Sequence, residues 1–292
     1  MSPVLPTITS IWSVLSRMPL SRNNEFVTAI RPCPFSGASG EALQLLGPVG
    51  VTQGGEFSSN NFSLVYCEKS DLVYLNPLPT DKDFEVMYSA EQFSSEEYVD
   101  PHRIESMMQY YGGCINHHFN LERADTFRLL DVGAGMAWVS RALKGIRADA
   151  LTRAQDISPE CKNKCAWVDE YFVGSVEDFC RATSERFNAI SLTHVIEHLP
   201  DPVRTLKTLT GVLAPGGVIF VTAPGRPRNW QPSQGLAPWL DYSYLHVPAH
   251  ITYFSETSLQ MAARMAGLNL TFWDGGHDNG QAFEAVLSPA SS

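Results

Sequence analysis

Between Thr126 and Pro224 the chain alternates short apolar runs with amphipathic stretches, and this rhythm limits its possible folds more than any other feature. FRLLDVG, ALTRAQDIS, YFVGS, FNAISLTH and VIFVTAP read as strands, rich in β-branched and aromatic residues. AWVSRALKG, PECKNKCAWVDE, VEDFCRATS and PVRTLKTLTGVLA fall between them with helical spacing, the first expected to close at Gly145. Strands alternating with helices build βαβ units, so the expected fold is α/β, a Rossmann-like, mostly parallel sheet with helices on both faces. An irregular aromatic segment follows at 224–250. A helix in SETSLQMAARMAG and two strand-like pieces, LNLTFWD and QAFEAVLS, complete the pattern.

Three segments precede this domain, which is expected at 124–292 with 224–250 as a lid insertion. Residues 1–30 read as a leader with one short helical turn. Residues 31–80, rich in Gly, Pro, Ser and Asn, read as a small β-rich module. Residues 81–123 read as a helical connector or cap, through FEVMYSAEQF and HRIESMMQYYGGCINHHF.

Composition narrows the function classes. The 292 residues are 44% hydrophobic and 18% charged, an ordinary globular balance. A net charge of −10 and the lack of any Lys/Arg run argue against nucleic acid as a partner. Cysteines at 33, 67, 114, 161, 165 and 180 form no disulfide framework, so a reducing, cytoplasmic setting is expected. The first residues lack a basic n-region and are broken by Pro3, Pro6 and Pro19, which makes a poor signal peptide. They are free of acids and rich in Ser, which leaves a transit-peptide reading open. No apolar run is long enough for a membrane span, so no membrane partner is expected.

LLDVGAGMAW places Asp131, Gly133 and Gly135 directly after the first strand of the rhythm. Small residues in a strand-to-helix turn let a ligand approach the backbone and the helix start. A dinucleotide fingerprint would need glycine where Trp138 stands, which argues against a nicotinamide dehydrogenase. Asp156, in QDIS, is placed to accept hydrogen bonds from a ribose.

LLDVGAG, AQDISPE, GSVEDF, FNAISLTHVIEHLPDP and LAPGGVIFVTAPG, in this order and spacing, resemble the class I S-adenosylmethionine-dependent methyltransferases. The likeness covers about 125–287 and is strongest to the ubiquinone-biosynthesis O-methyltransferase branch. It implies a seven-stranded sheet whose last strand is antiparallel. It implies S-adenosyl-L-methionine as cofactor and S-adenosyl-L-homocysteine as product. Carried over, Asp131 and the backbone of Gly133, Ala134, Gly135 and Met136 hold the methionine end. Asp156 holds the ribose, and Ile157 lies beside the adenine. Ser175 and Val176 edge the adenine, and Thr193 and His194 lie under the sulfonium. The chain departs from the family pattern at Ala137, where a third glycine is usual, and at Ser175, where an acid is common.

His194-Val195-Ile196-Glu197-His198 also spells H-x-x-E-H, a zinc-peptidase signature. That chemistry needs both histidines on one helix face. Here AISLT precedes them and Pro200 and Pro202 follow, so a helix across the run is not expected. His194 should end its strand facing the crevice, with Glu197 and His198 in the turn below. These two either brace the loop or, with His194, hold a divalent cation.

An acceptor hydroxyl needs a base, and histidine suits that role. His194, His198 and His250 are the catalytic candidates. Trp230, Tyr242, Tyr244, His246 and Tyr253 are the substrate candidates. The aromatics are read either as an apolar pocket or as the lid's own small core. RPCPFSG and VYCEKSDLVYLNPLP resemble a zinc-ribbon head in which Ser36 and Ser70 replace the second cysteine of each pair. Zinc is therefore not expected there; the ribbon's shape is. The function expected is methyl transfer to a small-molecule acceptor, at oxygen before nitrogen or carbon. The alternative is a catalytically silent, methyltransferase-like subunit that binds the cofactor or a partner. A homodimer is left open.

Overall fold

The computed structural model describes residues 29–88 and 100–290. The leader expected at 1–30 lies almost wholly outside the described residues, as does the end of FEVMYSAEQF. Strands β4 (Arg128–Val132), β5 (Leu151–Asp156), β6 (Glu170–Val173), β7 (Phe187–Thr193), β8 (Leu213–Pro224), β10 (Leu268–Gly276) and β11 (Ala282–Pro289) form one sheet. Its order is β10-β11-β8-β7-β4-β5-β6. β11 runs antiparallel to both its neighbours, and the pairings from β8 to β6 are parallel. This is the seven-stranded sheet expected, with its last strand reversed.

Helices α2 (Pro101–His118) and α3 (Trp138–Ile146) cover one face of the sheet. Helices α4 (Val176–Ala182), α5 (Pro202–Thr210) and α7 (Glu256–Met265) cover the other. Local chemistry starts four of these helices, α2, α4, α5 and α7. Asp100, Ser175, Asp201 and Ser255 accept backbone N–H bonds as N-caps, and Pro101 and Pro202 fill first helical positions where no N–H is missed. Leu129, Leu130, Ile190, Phe220 and Val221 are fully buried between the helix layers, as a sheet covered on both faces requires.

Two expected details change. PECKNKCAWVDE forms only a 3-10 turn at Lys162–Lys164. Ser158 N–H bonds Asp156 Oδ1 at 2.8 Å and Glu160 N–H bonds Ser158 Oγ at 3.4 Å. These local side-chain bonds compete with helix formation. Gly145 does not close α3, which runs on to Ile146 and is capped by the extended backbone of Arg147.

The N-terminal module is a second sheet, β1-β2-β3-β9, built from β1 (Leu43–Val49), β2 (Phe62–Cys67), β3 (Leu72–Asn76) and β9 (Thr252–Tyr253). β9 lies far along the chain, just after the irregular segment 224–250, and pairs with β3 through Val73 with Tyr253 and Tyr74 with Thr252. Where the sequence resembles a ribbon head, Cys33 Sγ lies 3.1 Å from Ser70 Oγ, and Ser36 Oγ 3.3 Å from Cys67 Sγ. The module's core is continuous with the main one, and Phe35 stacks on Phe254 at 5.8 Å. Among the described residues no helix is long and apolar enough to cross a membrane.

Candidate active site

The ends of β4, β5 and β7 meet at the glycine turn. Gly133 and Gly135 have φ of +58° and +47°, the left-handed region open to glycine. A Cβ on Gly133 would stand 2.5 Å from Val195 Cγ2, so the segment after β7 is pressed against the turn. Ala137 takes φ +51° at the cap of α3, a strained conformation for alanine. Met136 and Ala137 are buried beneath the turn.

Two acids hold this loop. Asp131 is buried; Ser140 N–H, Ser140 Oγ–H and Ser191 Oγ–H donate to it at 3.2, 3.0 and 2.7 Å. Burial raises its pKa to about 6 against the pull of those bonds. Its oxygens therefore tie β4 to α3 and β7 beside the turn. Asp156 Oδ2 accepts Gly135 N–H at 2.8 Å, while Ala134 N–H bonds the Gln155 carbonyl at 3.0 Å. Burial also raises the Asp156 pKa, against the bonds from Ser158, Gly135 and Ile157. Next to it Ile157 is 56% exposed, an apolar surface facing solvent. Ser175 does not present its hydroxyl to the crevice; it caps α4 and bonds Asp178. Val176 packs into the core.

His194 follows Thr193 at the end of β7 with φ +55°. Strained backbone of this kind collects at functional sites. Ile196–His198 is a single 3-10 turn, so the two histidines of H-x-x-E-H do not share a helix face. Glu197 is fully buried, and neither carboxylate oxygen has a hydrogen-bond partner. Its Oε1 lies 3.6 Å from His194 Nδ1 and 3.8 Å from His198 Nε2. Burial pushes its pKa up, but His194, His198 and His250 outweigh that and bring it to about 2. Burial lowers the His194 pKa, yet Glu197 and then Asp278 carry it above the usual value.

His198 donates its Nδ1–H to the Ala249 carbonyl at 3.0 Å, and His250 donates its own to the Tyr244 carbonyl at 2.8 Å. Each Nε2 is left as a lone pair. Ligand atoms of Glu197, His198 and His250 all lie within 4.8 Å of one another. Burial, then His198, drives the His250 pKa down to about 3, and burial lowers that of His198. Imidazoles so disposed are poor bases at neutral pH and good neutral ligands.

The substrate candidates separate. Tyr244 faces His194, with ring centroids 6.5 Å apart, and donates to Asp278 Oδ2 at 2.7 Å. Trp230, Tyr242 and Tyr253 are buried in a small core with Trp239. Trp230 donates to the Gly235 carbonyl, and Tyr242 to the Gln281 and Gly225 carbonyls. They pack in one core with Phe62, Leu64, Tyr66, Val73 and Leu75 of the N-terminal sheet. His246 is exposed and stacks on His250 at 4.7 Å. Asp278, bonded to Tyr244 beside His194, carried no motif in the sequence. It sits with Asn279 in a left-handed turn between β10 and β11, which the Asn-Gly pair could have signalled. Helix α1 (Asp81–Met87), capped by Thr80 and ending at Tyr88, is the start of the expected helical connector.

A parallel sheet of this order, with a glycine turn and an acid on adjacent strands, defines a Rossmann-like methyltransferase fold. A methyltransferase-domain family model matches residues 89–271. The chain belongs to that family, and the class I resemblance in its motifs holds. The ubiquinone biosynthesis O-methyltransferase of Xanthomonas campestris pv. campestris (strain B100) is 31% identical over 106 residues, covering 34% of this chain and 44% of the relative. That of Xanthomonas axonopodis pv. citri (strain 306) is 30% identical over the same shares. The chain thus spans less than half the length of these relatives. Among solved structures, the Haloferax volcanii complex of the Trm112 activator with a methyltransferase aligns with TM-score 0.49 and 17% identity, over 65% of this chain and 92% of that one. Mitomycin 7-O-methyltransferase aligns with TM-score 0.48 and 15% identity, over 66% and 59%.

Proposed function

We propose that this protein transfers a methyl group from S-adenosyl-L-methionine to a small-molecule acceptor, with oxygen the favoured acceptor atom. One observation carries the reading. His194, backed by buried Glu197, follows β7 and leads into Val195, which presses on the same glycine turn that Asp156 holds from β5. Bound there, S-adenosyl-L-methionine would supply an electrophilic methyl group. The backbone at 133–135 receives its methionine end, Asp156 the ribose hydroxyls, and exposed Ile157 the adenine face. His194 is the base: it faces the crevice, 48% exposed, and removes the acceptor's proton through its Nε2. Glu197 orients the ring from Nδ1 and stabilises the imidazolium. Tyr244 and Asp278 wall the acceptor's approach.

A second reading adds a divalent cation held by Glu197, His198 and His250. It rests on the two orphaned carboxylate oxygens and the two free Nε2 lone pairs. The donor set fits: two imidazoles fixed through Nδ1 and one carboxylate. Such a cation would orient an acceptor's oxygen pair.

The test is incubation with methyl-labelled S-adenosyl-L-methionine and a panel of catechols, phenols and amines. Labelled product with matching S-adenosyl-L-homocysteine is expected. Cofactor binding without turnover on any acceptor would favour a silent binding subunit. Asp156→Ala should weaken cofactor binding at least tenfold by calorimetry; unchanged affinity would remove the ribose assignment.

A further inference from the structure

The glycine turn is held from the edge of the sheet as well as from β5. β6 is the edge strand, two places from β4. The register sets Asp131 of β4, Ala154 of β5 and Tyr171 of β6 in one row, so their side chains share a face. Ala154 is small, and the buried Tyr171 reaches past it to the turn. Its hydroxyl donates to the Gly135 carbonyl at 2.9 Å. The Cys165 thiol approaches the same oxygen at 3.7 Å.

A second tie holds the next carbonyl but one. Trp167, in the loop before β6, donates its indole N–H to the Ala137 oxygen at 3.0 Å. That oxygen also accepts Arg141 N–H at 3.0 Å, the first bond of α3. The indole is itself fixed. It stacks on Trp138 with ring centroids 5.7 Å apart, and the Arg141 guanidinium lies 4.6 Å from its ring centre. Ala137, at φ +51°, is a residue that needs holding.

Tying a carbonyl also aims a donor. A peptide unit is planar and trans, so the N–H that follows points opposite to the C=O. With the Gly135 and Ala137 carbonyls turned toward Tyr171 and Trp167, the N–H groups of Met136 and Trp138 turn the other way. Neither N–H has a partner among the described residues.

We infer that Tyr171 and Trp167 are positioning residues of the cofactor site: they hold these two carbonyls back so that the free N–H groups at the start of α3 meet the carboxylate of the bound methyl donor. The inference rests on the crevice binding S-adenosyl-L-methionine, as proposed above. Both side chains act through the turn without touching the ligand. Their effect falls on its amino-acid end, because the ribose and adenine are assigned to Asp156 and Ile157.

The experiment is calorimetric titration of the full chain with two ligands. One is S-adenosyl-L-homocysteine; the other is 5′-methylthioadenosine, which keeps the adenosine thioether and lacks the amino-acid end. Tyr171→Phe and Trp167→Phe each keep an aromatic ring and remove the donor, and thermal melting checks folding. Wild type should bind both ligands. Each variant should lose about fivefold or more in affinity for S-adenosyl-L-homocysteine and less than about twofold for methylthioadenosine, the worth of a hydrogen bond felt at one end only. Equal losses for the two ligands mean a general loosening of the crevice and overturn the inference. Wild-type affinity for S-adenosyl-L-homocysteine in both variants overturns it too, while leaving the cofactor reading intact. Should one variant fail to fold, the other decides. A wild type that binds neither ligand overturns both readings.

Discussion

His198 and His250 meet edge to face, ring centroids 4.7 Å apart, each with its Nδ1–H donated to a backbone carbonyl. The carbonyls belong to Ala249 and Tyr244, both in the irregular segment 224–250, so that segment sets the tautomer of both rings. The same segment is tied to the turn it covers, since Ile251 N–H bonds the Glu197 carbonyl at 2.8 Å. Lone pairs and the Glu197 carboxylate are thus gathered by backbone geometry.

That arrangement predicts metal behaviour. After chelation, the full chain titrated with Zn²⁺ or Mn²⁺ should take up one equivalent. Glu197→Gln and His250→Ala should each weaken uptake at least tenfold. His250→Ala should also lower turnover while sparing cofactor affinity. Normal turnover in this variant would remove His250 from the site.

The pH profile should report His194. A base must be unprotonated to act, and its pKa lies above the ordinary imidazole value because Glu197 and Asp278 outweigh burial. Activity should therefore rise with pH through a limb lying above about pH 6.5, the ordinary value. His194→Asn should lower turnover by about 10²–10⁴-fold, the usual worth of general-base catalysis, and flatten that limb. An unchanged limb in the variant would assign the base elsewhere.

Gly133→Ala should damage cofactor binding specifically. The new methyl group would meet Val195 and would sit at φ +58°. A left-handed alanine alone costs about 1–2 kcal/mol. Denaturant unfolding should show at least that loss, and calorimetry more than a tenfold loss of cofactor affinity.

Asp83→Ala should destabilise the fold in a pH-dependent way. Burial raises the carboxyl's pKa, but the bonds from Ser58 and Thr80 outweigh it and bring the folded value to about 2. Since this lies below the unfolded value of about 3.9, the contribution is present above pH 4 and lost as pH falls toward 2. Urea unfolding should show a deficit of about 1–2 kcal/mol at pH 7 that narrows by pH 3.

Much of the sheet was readable because local signals agree there. FRLLDVG and FNAISLTH become buried strands, and PVRTLKTLT forms the helix expected there, capped by Asp201. The stretch at 159–170 misled because Cys161 and Cys165 have helical spacing, whereas Asp156 and Ser158 cap the local backbone N–H groups. Among the lid aromatics, spacing could not tell Tyr244 from Tyr242; only packing decides which ring faces His194 and which joins Trp239. The contact of Asp278 with Tyr244 depends on where the β10–β11 turn comes to rest. No short stretch encodes that.

The pairing of β3 with β9 also bears on biosynthesis. Residues 43–76 can form their three-stranded meander as soon as they are made, but one edge then lacks its partner. An open edge strand invites pairing with other chains. Here β3 carries Leu72, Val73, Tyr74 and Leu75, all fully buried in the finished protein. That edge stays open until nearly the whole methyltransferase domain has been synthesised and Thr252 and Tyr253 arrive. A nascent chain stalled before residue 252 should therefore be the aggregation-prone species, and the strand that protects it is the one that follows His250.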